Sequence, residues 1–327
     1  MNKIKKYTID YFKAVGHSLF FDNAYFGIAL LFLFAYFDHK LFLFAFATSI
    51  IGYGYSIFNS TPKILKDCGL ITINCFFFGI AMASMFQITP SFFLFLILGT
   101  LGIPLLTKAV FEVLQHWKLS PNFIPYIFMT WIFYLAARGG AFGLQTEVLS
   151  ESAVVIPDFF AKFFPLQVIW ISFEGVSRIF FSSHAFLGLA LIILVTLFSP
   201  RRGFFFFMGT ILATAISFFL SAGGTSWEHG MFSYCAGLVG LGLASFPEKI
   251  RWSSIFFFCI ISSLLTMAIE QLLKVQALPI LSLPYVLTYW IALLSRVPRI
   301  NVSWAPGSKP KVSTFVRKTE QVFYDPR

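Results

Sequence analysis

PILSLPYVLTYWI, residues 279–291, has a weaker counterpart in PNFIPYIFMTWI, residues 121–132. In both, a Pro-Tyr pair (Pro125-Tyr126 and Pro284-Tyr285) leads to a tryptophan five residues beyond the tyrosine, Trp131 and Trp290. The offset between the copies is 159 residues. Two further anchors keep nearly the same spacing. SLFFDNAYFGIAL (18–30) resembles RIFFSSHAFLGLAL (178–191) at an offset of about 160, and Glu112 and Glu270 lie 158 apart. A period of half the chain fixes the architecture before any other signal is read. The chain consists of two diverged copies of one unit.

The content of each unit follows from composition. The chain has 327 residues, 58% of them hydrophobic and only 12% charged, and a mean hydropathy of +0.80. Soluble domains carry roughly 25% charged residues, so this chain cannot cover itself with water-seeking groups and takes lipid as its solvent. A hydrocarbon core of about 30 Å needs ~20 helical residues, fewer or more with thinning or tilt. Ten spans are predicted: 23–38, 41–59, 69–87, 91–108, 124–140, 185–200, 203–222, 227–246, 252–273 and 280–297. The first and sixth are short. Breakers such as Asp38-His39-Lys40, Pro62-Lys63, Thr89-Pro90, Pro200-Arg201-Arg202 and Pro247-Glu248-Lys249 separate the runs. The 45 phenylalanines are read as mostly lipid-facing bulk.

The net charge of +10 does not point to nucleic acid, because the basic residues sit in short clusters between apolar spans. Of the 24 Lys and Arg residues, nineteen fall on one side of the ten-span topology and four on the other, with Arg178 set aside. The positive-inside rule then makes both termini cytoplasmic and the 141–166 loop external. Five spans per copy is an odd number, so the second copy enters from the opposite face. The expected plan is therefore residues 1–140 as the first repeat, 141–166 as an external linker, 167–299 as the inverted second repeat and 300–327 as a cytoplasmic polar tail. Inverted repeats are typical of transporters with a solute site near the midplane.

Cys68, Cys75, Cys235 and Cys259 have no metal-ligand spacing and lie in or beside apolar runs, so they read as reduced packing residues. No HExxH, Gly-x-Ser-x-Gly, acidic metal cluster or nucleotide-binding motif occurs, so no cofactor, enzymatic activity or primary pump is expected from this chain. His17, Arg178, Glu228 and His229 fall in intramembrane segments, where a charge costs ~2.5–3.5 kcal/mol on insertion scales, and are read as lining a path. Glu228 alternatively sits at the headgroups. Arg178 and Glu228, of opposite sign, are expected to pair. Glu112 and Glu270 are assigned a structural role where the repeats meet.

These anchors resemble the urea transporter family. Leu278-Pro279-Ile280-Leu281-Ser282-Leu283-Pro284-Tyr285-Val286-Leu287-Thr288, followed by Trp290, is similar to its signature L-P-x-L-T-x-P-F-V-L-x-T-W. Gly69-Leu70 through Asn74 to Gly79-Ile80-Ala81, and Phe20 through Asn23-Ala24 to Gly27, resemble two further family motifs. The resemblance implies ten spans plus one re-entrant half-helix per repeat, here about 10–22 and 167–183. It also implies a homotrimer with one pore per protomer, and a passive slit in which aromatic rings stack on planar urea while oxygens accept its N–H groups. On that basis Phe20 and Phe181 (or Phe180) are slot aromatics, Asn74 matches the family Asn and Ser282 stands for a pore Thr. Phe77 and Phe232 replace constricting leucines, Phe123 replaces the first pore Thr, and Ile73 and Glu228 replace the other two slot aromatics. His17, Arg178 and His229 replace polar amides or acids. The function expected is passage of urea or a related small polar solute, by a pore tighter than an ordinary urea slit. The alternatives are a diverged pore for another small solute or an anion drawn by Arg178, and an intramembrane enzyme built on His17 or the Glu228-His229 pair.

Overall fold

The structure, a computed structural model, describes residues 3–59, 61–139, 156–157, 163–220, 232–246, 250–276 and 278–295. Among these there are thirteen α-helices and no β-strand. They are α1 (Lys3–Gly16), α2 (Ala24–Phe37), α3 (His39–Phe58), α4 (Lys63–Asp67), α5 (Leu70–Met85), α6 (Pro90–Leu114), α7 (Ile124–Arg138), α8 (Phe164–Arg178), α9 (Ala185–Phe198), α10 (Pro200–Leu220), α11 (Ser233–Ala244), α12 (Trp252–Val275) and α13 (Leu283–Leu294). The expected tail 300–327 and most of the 141–166 linker lie outside the described residues.

The predicted breakers act through ordinary capping chemistry. Asp38 ends α2, and its side chain accepts the Leu41 N–H at 3.1 Å to start α3. Asn23 accepts from Tyr25 and Phe26 N–H at 2.8 and 3.2 Å to start α2. Pro90, Pro125, Pro165, Pro200 and Pro284 all lie in first turns, where a missing N–H leaves no bond unmade.

Apart from α2, the apolar helices fall into two kinds. α3, α6, α10 and α12 have 20, 25, 21 and 24 residues, long enough to cross a bilayer alone. They expose Ile50, Leu98, Phe204 and Leu264. α5, α7, α9, α11 and α13 have 12–16 residues. At 1.5 Å per residue that is ~18–24 Å, short of the hydrocarbon thickness. All of α11 and all of α5 except Ser84 are buried. Non-helical backbone at membrane depth is tolerated only where protein covers it or a cavity is lined, so α5 and α11 belong inside, whereas α7, α9 and α13 also present exposed residues such as Ile132, Phe186 and Ile291.

α1, a 3₁₀ turn at His17–Leu19 and α2 form one unit bent by 71°. The first half-helix begins at Lys3, earlier than the expected 10–22, because its opening turns are polar and exposed while Tyr11, Ala14, Val15 and Gly16 are buried. α8 likewise begins at Phe164 and ends at Arg178. Two close approaches recur 161 residues apart. Gly27 lies against the Phe12 carbonyl where α2 crosses α1, and Gly188 lies against the Phe173 carbonyl where α9 crosses α8. Gly79 and Gly240 do the same against the Phe44 and Phe205 carbonyls. Between the halves, α2 packs on α9 and α7 meets α13.

Two expectations need correction. The phenylalanines are not mainly lipid-facing. Phe26, Phe34, Phe76, Phe77, Phe78, Phe86, Phe92, Phe180, Phe205 and Phe206 are fully buried, because rings fill the space between helices that small residues bring close. Glu112 is exposed and bonds locally to Gln115, so it does not tie the repeats together.

Candidate functional site

Four segments converge on the middle of the fold: the tips that end the two half-helices, and the two turns that precede α7 and α13. Each carries a non-glycine residue in the left-handed region, Phe20 (φ 64°), Phe181 (φ 59°), Asn122 (φ 51°) and Leu281 (φ 47°). Such a conformation is uncommon for phenylalanine and leucine and persists only where the surroundings enforce it. Phe20 N–H donates to the His17 carbonyl, and Phe181 N–H donates to the Arg178 carbonyl, both at 3.0 Å.

At the centre is a packed group of rings. Phe77 of α5 stacks on Phe180 at a centroid distance of 5.6 Å with planes 7° apart, and on Tyr126 at 5.4 Å. Phe123 meets Phe77 edge-on at 4.7 Å and Tyr285 at 5.5 Å. Phe34 closes on the far side of Phe180 at 4.6 Å. All six rings are buried.

Their polar atoms are paired with one another. Tyr126 and Ser282 share a hydroxyl bond of 2.8 Å, and Asn122 Nδ2 donates to the Tyr285 hydroxyl at 3.0 Å. Tyr234 donates to the Leu281 carbonyl. Asn74 donates to the Leu70 and Asn122 carbonyls at 2.8 and 2.9 Å and accepts the Tyr126 N–H at 3.0 Å. Both Asn74 donors are therefore spent on backbone, and the residue pins the unwound turn that leads into α7.

The other expected residues are distributed around this group. Phe20 is half-buried between Tyr285 and Tyr289, each at 6.2 Å, the latter stacked. His17 Nε2 faces Asp22 at 3.5 Å, and Lys13 Nζ meets the same carboxylate oxygen at 3.3 Å. Ile73 and Phe232 are buried, and Phe181 is half-buried. Of the two candidates at the second tip, Phe180 and not Phe181 joins the central stack. Glu228 and His229 lie outside the described residues. The expected pairing of Arg178 with Glu228 therefore lies outside the described residues; among them, Arg178 Nη2 bonds Glu174 Oε1 at 2.7 Å, one turn back on α8. Glu174 escaped notice in the sequence although the i, i+4 charge pair was a legible signal. Tyr126 and Tyr285 stand out in the sequence as repeat anchors; their place among the central rings follows from the fold. Cys75, Cys235 and Cys259 are buried free thiols, and no cluster of three metal-ligating side chains occurs among the described residues.

A family model described as urea transporter matches residues 10–296. The chain belongs to the urea transporter family. The match takes in both half-helix tips, the central rings and both Pro-Tyr helices. No curated protein matches the chain. The polytopic helical membrane fold is that of a urea transporter family member.

Proposed function

We propose that the chain is a passive, channel-like conduit for urea or a closely related small amide, with the solute passing between the two half-helix tips through the central rings. The observation that carries this reading is the near-parallel Phe77–Phe180 stack, flanked by the Tyr126–Ser282 and Asn122–Tyr285 hydroxyl and amide groups. Flat apolar faces with polar atoms along the edge suit a flat, neutral solute that is rich in N–H groups. Carbon atoms in contact lie about 3.5–4.0 Å apart, so a planar solute held between two rings needs a spacing of roughly 7–8 Å. The present centroid distance of 5.6 Å is a closed spacing, so passage requires Phe77 and Phe180 to part.

The rest of the reading rests on the family and on charge placement. We take the protein to be a homotrimer in the plasma or inner membrane, with both termini cytoplasmic and two five-span halves inverted relative to each other. The 161- and 159-residue spacing of matched contacts supports the last point. A pore for an anion drawn by Arg178 is less favoured, because Glu174 offsets that charge within the same helix. Uptake of labelled urea into proteoliposomes, compared with empty liposomes, tests the proposal. Uptake equal in the two would sink it.

A further inference from the structure

The two half-helix tips are held in different ways. At the second tip, the Ser177 hydroxyl reaches the Ser182 carbonyl at 2.8 Å, so the turn around Phe181 is tied by its own segment. The matching residue 161 positions earlier is Gly16, which has no side chain to offer. A Cβ there would run into the Phe21 and Asn23 carbonyls. The first tip therefore takes its donor from elsewhere. Arg202, in the first turn of α10 and so in the other half of the chain, donates from Nη1 to the Phe20 carbonyl at 2.9 Å. Its guanidinium also lies over the Phe21 ring at 4.7 Å, a cation–π distance. The residue at the equivalent place in the first half is Leu41, which can make neither contact. Phe20, the residue so held, has a left-handed backbone, and its ring stacks on Tyr289 at 6.2 Å, with Phe246 also stacked on Tyr289 at 6.1 Å.

We infer that Arg202 is a positioning and selectivity residue for the Phe20 mouth, fixing the Phe20–Tyr289 spacing through the position of α10. The inference rests on the conduit reading for its consequence but not for its geometry. A planar guanidinium that bonds a carbonyl and covers a ring fixes two adjacent residues at once, which a lysine ammonium cannot reproduce. The Phe20 and Tyr289 rings are stacked with centroids 6.2 Å apart, and a flat solute needs about 7–8 Å between carbon faces, so passage here requires the rings to part and displacements of Phe20 change which solutes fit. Among the described residues, the Phe20 carbonyl is held by a side chain of the other half, whereas the backbone of the Phe181 turn is tied by Ser177 of its own segment, although the neighbouring Phe180 ring packs on Phe34 and Phe77 of the first half.

The experiment compares wild type, Arg202→Met and Arg202→Lys in two ways. The first is the ratio of N,N′-dimethylurea to urea permeability in proteoliposomes, since the methyl hydrogens make the former thicker than flat urea. Arg202→Met is expected to raise the ratio at least threefold, and Arg202→Lys to fall between it and wild type. A ratio within twofold of wild type, or lower, overturns the inference. The second is the ¹⁹F resonance of 4-fluorophenylalanine placed at Phe20 or at Phe181 in nanodiscs. Arg202→Met should shift or split the Phe20 signal and leave that of Phe181 in place. An unmoved Phe20 signal, or equal changes at both, also overturns it. If neither solute crosses the wild-type protein faster than empty liposomes, the conduit reading has failed and the resonance alone decides the role of Arg202. If Arg202→Met does not fold, Arg202→Lys carries both measurements: a ratio above that of wild type with a moved Phe20 signal is expected, and a ratio equal to or below wild type, or an unmoved Phe20 signal, overturns the inference.

Discussion

Trp131 and Trp290 make the same contact in opposite directions. Trp131 donates its indole N–H to the Pro279 carbonyl at 2.8 Å, and Trp290 donates to the Ser120 carbonyl at 3.0 Å. The two tryptophans and the two acceptors are each 159 residues apart. Each half therefore ties down the unwound turn of the other, which is the reciprocity a two-fold relation produces. Loss of one such bond costs about 1 kcal/mol net, more if the carbonyl is stranded without water. Trp131→Phe and Trp290→Phe should each lower stability by about 1–2 kcal/mol, to similar extents, in the midpoint of unfolding by SDS. A clear effect in one variant and none in the other would show that the ties are not equivalent.

The glycine crossings give a second test. A methyl at Gly27 or Gly188 would fall on a backbone carbonyl oxygen, of Phe12 or Phe173, which cannot move without unpacking a half-helix. Overpacking typically costs about 1–3 kcal/mol, occasionally more. Gly27→Ala and Gly188→Ala should both sharply reduce the yield of folded protein, as read by size-exclusion chromatography in detergent. Gly54→Ala is the control: nothing lies near its Cβ, and alanine favours a helix by about 1 kcal/mol. Normal yield from Gly27→Ala would mean that α1 and α2 do not cross this closely.

The apolar helices are legible because the bilayer forces backbone to bond internally over long stretches, and Asp38, Thr89 and Pro200 mark where helices start. The half-helix tips were legible only as places. Left-handed turns are advertised by glycine, yet Phe20, Phe181 and Leu281 adopt them under tertiary constraint, which local propensity does not record. Asn74, Phe77, Phe123 and Ser282 lie around the same Tyr126, but the use of Asn74 to pin backbone depends on which way its amide points. Phe180 against Phe181 turned on a one-residue register that a repeat of unequal loop lengths leaves open. Arg202 had no sequence signal, since it reads as one more basic residue in a loop.

Phe123 is the ring to remove if the centre is a closed path. It touches Phe77, Tyr126 and Tyr285 at once and sits where the second half has Ser282. Phe123→Thr deletes those contacts and supplies a hydroxyl matching Ser282. Urea permeability in proteoliposomes should rise several-fold. Some loss of stability accompanies it, since large-to-small changes in a buried site cost about 3–5 kcal/mol before relaxation. Unchanged permeability from folded Phe123→Thr protein would place Phe123 off the path.

The last prediction concerns Glu174 and Arg178. Lys13 and His17, 161 residues earlier, occupy the matching places and are bridged by Asp22, so both half-helices end in a charged pair but with different partners. Glu174 is 3% exposed, and the Arg178 side chain keeps 22% of its surface. A carboxylate that deep needs its partner, because an unpaired buried charge carries a desolvation penalty of several kcal/mol. The fractional exposure of Arg178 lets solvent screen part of the attraction. Arg178→Gln should therefore destabilise by about 1–3 kcal/mol, less than the 3–5 typical of a fully buried pair. Glu174→Gln should cost less than Arg178→Gln, since the guanidinium it leaves behind can reach water. The double variant should cost less than the two singles together, with a coupling of about 1 kcal/mol or more. The readout is the midpoint of SDS unfolding for wild type, both singles and the double. Strict additivity would mean that the 2.7 Å contact contributes nothing to stability and that Arg178 is free to engage something else.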